Sequence, residues 1–178
     1  MNAVPKIIDS ILGQLCCRQR VSEWKRISFG FGDKVYHEKP KLADNFYGEW
    51  EMGSYFCAWR IVQDGNILCG SNDAVDSIEE LDIAIKRINF GRIISLAMSP
   101  SGIDIRAEFD TGVAVDFLST RNGDDESFQM FLPKNICVTF GVSNGWLMGK
   151  SDKPGKLVNE SEWNERKNEA TNAGEVPT

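Results

Sequence analysis

Short turn strings cut the middle of this chain into apolar runs too brief to be helices: QDGN at 63–66, PSG at 100–102, DTG at 110–112, NGDD at 122–125 and PKN at 133–135. Between them lie Ile93–Met98, residues 103–109, Val113–Leu118, residues 128–132 and residues 136–140, rich in β-branched and aromatic side chains. Each tight turn returns the chain beside the run it has just left, so the pattern predicts an antiparallel meander. The same reading gives strands at 26–31, where polar and apolar residues alternate, and at 55–62, with QDGN as the clearest hairpin turn.

Helical spacing occurs at two places. Val4, Ile8, Ile11 and Leu15 recur on one face behind Asn2, a capping residue, and Pro5, which predicts a short N-terminal helix. Ser77 and Glu80 form a capping box, and Val75, Ile78, Leu81, Ile85 and Ile88 share a face, which predicts a helix over 76–88. Acids open that helix and Lys86 and Arg87 close it, as the helix dipole favours.

A repeat runs through the β-rich part. Trp59 and Ile61 are followed by Asn66, Ile67 and GSN at 70–72, while Phe128 and Met130 are followed by Asn135, Ile136 and GVSN at 141–144. The step from Trp59 to Ile67 equals that from Phe128 to Ile136, and an alternating strand precedes each copy. The expected fold is therefore α+β and mostly β: a single domain over 1–150, built by internal duplication from halves 16–72 and 88–146, with one or two helices packed on the sheet. From Ser151 onward apolar residues nearly vanish, so 151–178 reads as a flexible tail with a short helix around Trp163 that is able to dock.

The chain has 26 acids against 20 bases, a net charge of −6. That sign argues against a counterion-releasing grip on nucleic acid and points to a basic partner. No apolar run approaches a membrane span and no secretory leader is evident, so the expected location is cytoplasmic. The five cysteines (Cys16, Cys17, Cys57, Cys69, Cys137) include no C-x-x-C pair, which predicts reduced thiols and neither a zinc site nor a disulfide framework.

Catalytic vocabulary is thin. DTG at 110–112 has the form of an aspartic-protease turn, but a single copy would need a homodimer, and the string also serves as a plain turn with glycine in the left-handed position. GKS at 149–151 lacks the first glycine of a phosphate loop, since Asn144 stands there. His37 is the only histidine and lies in a polar stretch. No cofactor, metal site or catalytic residue is expected.

The acids give the sharpest pattern. Asp73, Asp76, Glu79, Glu80 and Asp82 crowd one stretch, and Asp124, Asp125 and Glu126 form a second. The helix dipole accounts for part of the first, yet like charges held together destabilise a fold unless something neutralises them. Both clusters are therefore expected to bind a partner. Five tryptophans are also present, with Trp24 and Trp146 at turns and Trp163 in the tail; core is the default place for such rings, and edge positions serve as interface anchors.

The strings GEW at 48–50, CAWRI at 57–61, IL at 67–68 and SND at 71–73 resemble a pattern of small bacterial proteins of unknown function. In that pattern a helix precedes a phenylalanine-rich strand, here at 105–109, and a closing aromatic strand, here at 128–130. The resemblance spans residues 20–146 and implies a fold and a bacterial setting; it carries no activity and no catalytic residues. In size and charge the chain also resembles immunity proteins, which bind and neutralise a toxin domain. The expected function is non-enzymatic protein binding, by an immunity protein facing a basic toxin. Two alternatives stay open: a small-ligand or enzymatic domain with its pocket between the halves, using Asp110, His37 or a cysteine, and a structural subunit of a larger bacterial assembly.

Overall fold

The computed structural model describes residues 4–38, 44–120, 125–152 and 157–172. Eleven strands occur in it: β1 (Cys16–Ser22), β2 (Arg26–Tyr36), β3 (Phe46–Ser54), β4 (Ala58–Gln63), β5 (Asn66–Gly70), β6 (Ile93–Met98), β7 (Ile105–Phe109), β8 (Val113–Leu118), β9 (Glu126–Leu132), β10 (Ile136–Gly141) and β11 (Gly145–Lys150). Helix α1 spans Ile78–Lys86 and α2 spans Glu160–Asn172. Two antiparallel sheets result, one of six strands in the order β1-β2-β3-β9-β10-β11 and one of five in the order β5-β4-β8-β7-β6. The mostly-β meander expected from the turn strings is the observed architecture.

Apart from β11, which only the larger sheet has, the two orders are the same order written twice. A meander of three strands (β1 to β3, or β6 to β8) builds one sheet, and the hairpin that follows it (β4–β5, or β9–β10) crosses to the opposite sheet. There it pairs with the last strand of the other meander: Ile61 faces Val115, and Met130 faces Met52. Register agrees down to irregularities. Cys16 faces Phe31 and Arg18 faces Gly30, leaving Cys17 as an extra residue; Ile93 faces Phe109 and Ser95 faces Glu108, leaving Ile94. The halves meet at a reciprocal bridge, where Cys16 N donates to Gly91 O and Ile93 N donates to Gln14 O. The internal duplication is thus a topological two-fold with exchanged hairpins.

Apolar residues at alternate positions fill the space between the sheets. Phe29 and Phe31 of one sheet meet Phe109 of the other at ring separations of 6.3 and 6.1 Å, and Phe117 meets Phe128 at 5.0 Å. Inward positions of the central strands are sealed at Ile27, Trp59, Ile61, Val115, Met130, Val138 and Phe140, while Trp50 of β3 and Ile136 of β10 are partly buried. Helix α1 lies along β1, so an edge of the larger sheet is covered; Ser77 Oγ accepts from Glu80 N at 3.2 Å, the cap read from the sequence. Asp64 and Gly65 take φ of 51° and 77°, the mirror-image turn that suits a two-residue hairpin.

The structure corrects several expectations. Residues behind Pro5 form a 3₁₀ turn, Lys6–Ile11, in place of an α-helix; Asn2 lies outside the described residues. Ile8 and Ile11 are buried as expected, but Gly13 at φ 84° ends the turn, and Leu15 is drawn into a β-bridge with Arg92. Residues 55–57 form a bend, because the chain crosses between sheets there, and β7 begins at Ile105, not at 103. Beyond Ser151, among the described residues, Val158 exchanges two backbone hydrogen bonds with Met148, and Trp163, in α2, packs on the core, the docking that the sequence left open to this helix. No helix among the described residues is long and apolar enough to cross a membrane.

Exchange of hairpins makes each half depend on the other. Ile61→Ala and Met130→Ala occupy equivalent, fully buried places, so each should lower stability by about 2–5 kcal/mol. In urea, tryptophan fluorescence and far-ultraviolet dichroism of both variants should trace a single coincident transition; two separated transitions would show that the halves fold independently.

Candidate functional site

The turn between β1 and β2, Glu23–Lys25, places two consecutive residues with a Cβ in the left-handed region, as Lys134 and Asn135 do in the β9–β10 turn. Trp24 sits at φ 64° and ψ 21°, and Lys25 at φ 52°, the left-handed region that is unfavourable for side chains with a Cβ. Trp24 gains no burial in return, because it is 84% exposed. The corresponding turn of the other half, between Ser99 and Asp104, is one residue longer, and its one residue with positive φ is Gly102, at 72°. There the left-handed residue is glycine, which adopts that conformation freely. Two contacts hold the strained turn: Trp59 Nε1 donates to Lys25 O at 2.7 Å from the core, and Lys25 Nζ donates to Asp73 O at 2.8 Å.

Facing Trp24 is the crossover after β3. Tyr55 N and Phe56 N donate to Ser127 O and Glu126 O, both at 3.0 Å, which fixes the crossover and turns two rings outward. The rings meet edge to face at 4.6 Å, and the Arg26 guanidinium lies over them, 4.4 Å from the Tyr55 centroid and 5.6 Å from that of Phe56. Trp24, Arg26, Tyr55, Phe56, Ser71 and Thr120 are among the walls of a groove of about 840 Å³. A second cleft of about 680 Å³, on the outer face of the larger sheet, shares Arg26 and Tyr55 with it and contains Tyr47, Glu51 and Gln129. Cys57 lines the groove as well, but burial pushes its thiol up to about 12, far from the thiolate that nucleophilic chemistry needs.

The acids expected to bind a partner are divided by the fold. Asp73 uses Oδ2 to accept from Gly70 N at 3.0 Å and supplies the carbonyl that Lys25 holds, so it stands on the groove rim. Glu126 reaches the opposite rim through its backbone bond to Phe56. Asp82 faces inward, accepting from Val21 N at 2.7 Å and pairing with Lys86 at 2.7 Å, and so fastens α1 to β1. Glu80 accepts from Asp76 N at 3.1 Å, while Asp76, Glu79, Glu80 and Asp125 are exposed. Asp124 lies outside the described residues. The candidates for chemistry stay apart: Asp110 accepts from Arg92 N in the β7–β8 turn, and His37 packs on Tyr47 at 4.6 Å.

Charge is also buried on the outer face of the larger sheet. Arg18 pairs with Asp44 at 2.8 Å and Glu51 at 2.9 Å, and Glu51 Oε1 accepts from Gly48 N at 2.7 Å. Burial outweighs Arg18 and this backbone donor, and it raises the Glu51 carboxyl to about 7. Close packing fixes the cluster, since a Cβ on Gly30 would meet Glu51 Oε1 and one on Gly48 would meet the Phe31 amide.

The aromatic groove was poorly marked in the sequence. Trp24 read only as a tryptophan bordering a turn, and nothing placed Tyr55, Phe56 and Arg26 around it, because the crossover that joins them depends on the exchanged hairpins. No family model matches the chain, and comparison with curated proteins and with solved structures gives no match either.

Two measurements check this geometry. Trp24→Gly removes an exposed ring and relieves a left-handed backbone, so it should raise the unfolding free energy by about 1 kcal/mol in urea titrations; a loss of stability would mean that the ring supports the fold. For Glu51, the folded state holds its proton to higher pH than the unfolded chain, whose carboxyl titrates near 4.5. Stability should therefore fall as pH rises from 4.5 through 7 and level off above. The difference between wild type and Glu51→Gln, followed by denaturation from pH 5 to 8, should change by about 1–3 kcal/mol; a pH-independent difference would contradict the buried carboxyl.

Proposed function

We propose that this chain is a non-enzymatic protein-binding domain whose contact surface is the groove between Trp24 and Phe56. The observation that carries the reading is Trp24 itself, an exposed indole held in a left-handed conformation where the equivalent turn has glycine. The left-handed pair is a hairpin-turn geometry shared with Lys134 and Asn135; what points to a contact is that one of its residues is a large ring left 84% exposed. The surrounding residues fit the same reading, since tryptophan, tyrosine and arginine are enriched among the few residues that dominate binding energy, and Trp24, Arg26 and Tyr55 form one patch with Ser71, Asn72 and Thr120 around it.

The net charge of −6 and the exposed carboxylates of Asp76, Glu79 and Asp125 favour a basic partner. Complementary fields of that kind speed encounter and choose among partners more than they add affinity. An immunity protein occluding a basic toxin domain in a bacterial cytoplasm is the specific setting this favours.

A photo-crosslinking amino acid at position 24, irradiated in the native host, should capture a protein of basic isoelectric point. Reconstituted with that purified protein, Trp24→Ala should weaken binding by about 2 kcal/mol or more, and Glu79→Lys should lower the association rate and its salt dependence. An affinity unchanged by Trp24→Ala would remove the reading.

A further inference from the structure

Arg26 stands apart among the arginines of the sheet faces. The other arginines of the sheet faces have carboxylates: Arg18 has Asp44 and Glu51, Arg20 has Asp44, and Arg60 and Arg106 share Asp116. Arg26 is half-buried, yet no acceptor among the described residues takes a hydrogen bond from its guanidinium; its Nε, like that of Arg20, is sealed from solvent without a partner, which leaves its two terminal nitrogens as the donors open to the groove. The Tyr55 and Phe56 rings hold it from one side. A ring face attracts a cation but leaves the in-plane N–H donors unsatisfied. Ser22, directly opposite on β1, and Ser28, two residues along β2, line the second cleft beside it.

We infer that Arg26 is a receptor for a carboxylate, an aspartate or glutamate side chain that the partner inserts into the groove. This rests on the protein-binding reading and names the chemistry at its centre. The two terminal nitrogens of a guanidinium that lies over aromatic rings match a carboxylate in two-point geometry. The two-fold equivalent of Arg26 is Asp104, whose Oδ1 already accepts from Ser119 N at 2.9 Å, so the other half satisfies this position internally while the first half leaves it open. A side chain is favoured over a chain terminus because Arg26 and Tyr55 line both clefts, and a peptide passing from one to the other presents side chains at their junction. A basic partner drawn in by the domain's negative field is then set in register by one acid of its own, since the wrong register would bury Arg26 unpaired.

The probe is an acetylated, amidated pentapeptide, Gly-Gly-Glu-Gly-Gly, with two controls: the glutamine analogue, and that analogue with a free carboxyl terminus. The readout is the Arg26 Nε–Hε resonance, assigned by its loss in Arg26→Gln. The glutamate peptide should shift it in a saturable way at millimolar concentration, and the amidated glutamine peptide should not; followed by the backbone amide of residue 26, which both proteins carry, Arg26→Lys should bind the glutamate peptide several-fold more weakly than wild type, with thermal unfolding of both variants unchanged. No saturable shift with the glutamate peptide overturns the inference, and a shift with the free carboxyl terminus alone overturns the side-chain assignment. With the crosslinked partner, Arg26→Gln should weaken binding 10- to 100-fold. A partner that tolerates Arg26→Gln but not Trp24→Ala refutes this inference and leaves the binding reading standing, whereas one that tolerates both refutes the reading.

Discussion

Backbone pairing between exchanged hairpins is the constraint on which the rest of this structure depends. The β4–β5 hairpin finds its partner in β8 and the β9–β10 hairpin in β3, so each sheet is completed only by the other half. Neither meander has a finished sheet of its own, and an unpaired strand edge in the core would leave buried amides and carbonyls without partners. The exchange also creates the functional geography. It carries Trp59 across the interior to the β1–β2 turn, where its indole N–H finds Lys25 O, and it sends residues 55–57 over the end of the sandwich beside that turn.

What could be read in the sequence follows from which faces are water-exposed. β7, β8, β9 and β10 announce themselves because apolar side chains dominate them and turn residues bound them. β1, with sequence CCRQRVS, hides because its outer face carries Arg18 and Arg20, which the fold buries in ion pairs that a polarity pattern reports as solvent. β3, with sequence FYGEWEMGS, hides for a related reason: glycines stand where strands approach closely and Glu51 occupies a buried outer position. The equal step from aromatic to isoleucine falls on the two hairpins that take matching places in the sheets, since hairpin register fixes that spacing. The hairpin exchange was not legible, because spacing along the chain says nothing about which sheet a hairpin joins.

The candidate site follows the same division. Clustered acids are conspicuous in sequence, but Asp82 is consumed in docking α1, and Asp73 and Glu80 serve local backbone amides. Aromatic groups around Arg26 come from segments far apart in the chain and are conspicuous only once folded. Internal comparison separates structure from function here, because the duplicated scaffold gives each position a reference. Where Arg26, Tyr55 and Phe56 stand in one half, the other has Asp104, Leu118 and Ser119, so the sheet and crossover require neither the cation nor the rings.

Energetics explain why the strained turn persists. Holding Trp24 and Lys25 in the left-handed region costs about 1–2 kcal/mol each. A buried N–H to carbonyl bond from Trp59 contributes about 1 kcal/mol and a charged donor such as Lys25 Nζ about 1.5–3 kcal/mol, so the two contacts on this turn are of the size needed to offset it. The equivalent half has neither requirement: Phe128, in the place of Trp59, has no N–H to give, and Gly102 needs no support. Donor and strained turn therefore occur together in one half and are both missing from the other, the coupling expected if the interior tryptophan is placed to hold the exterior one.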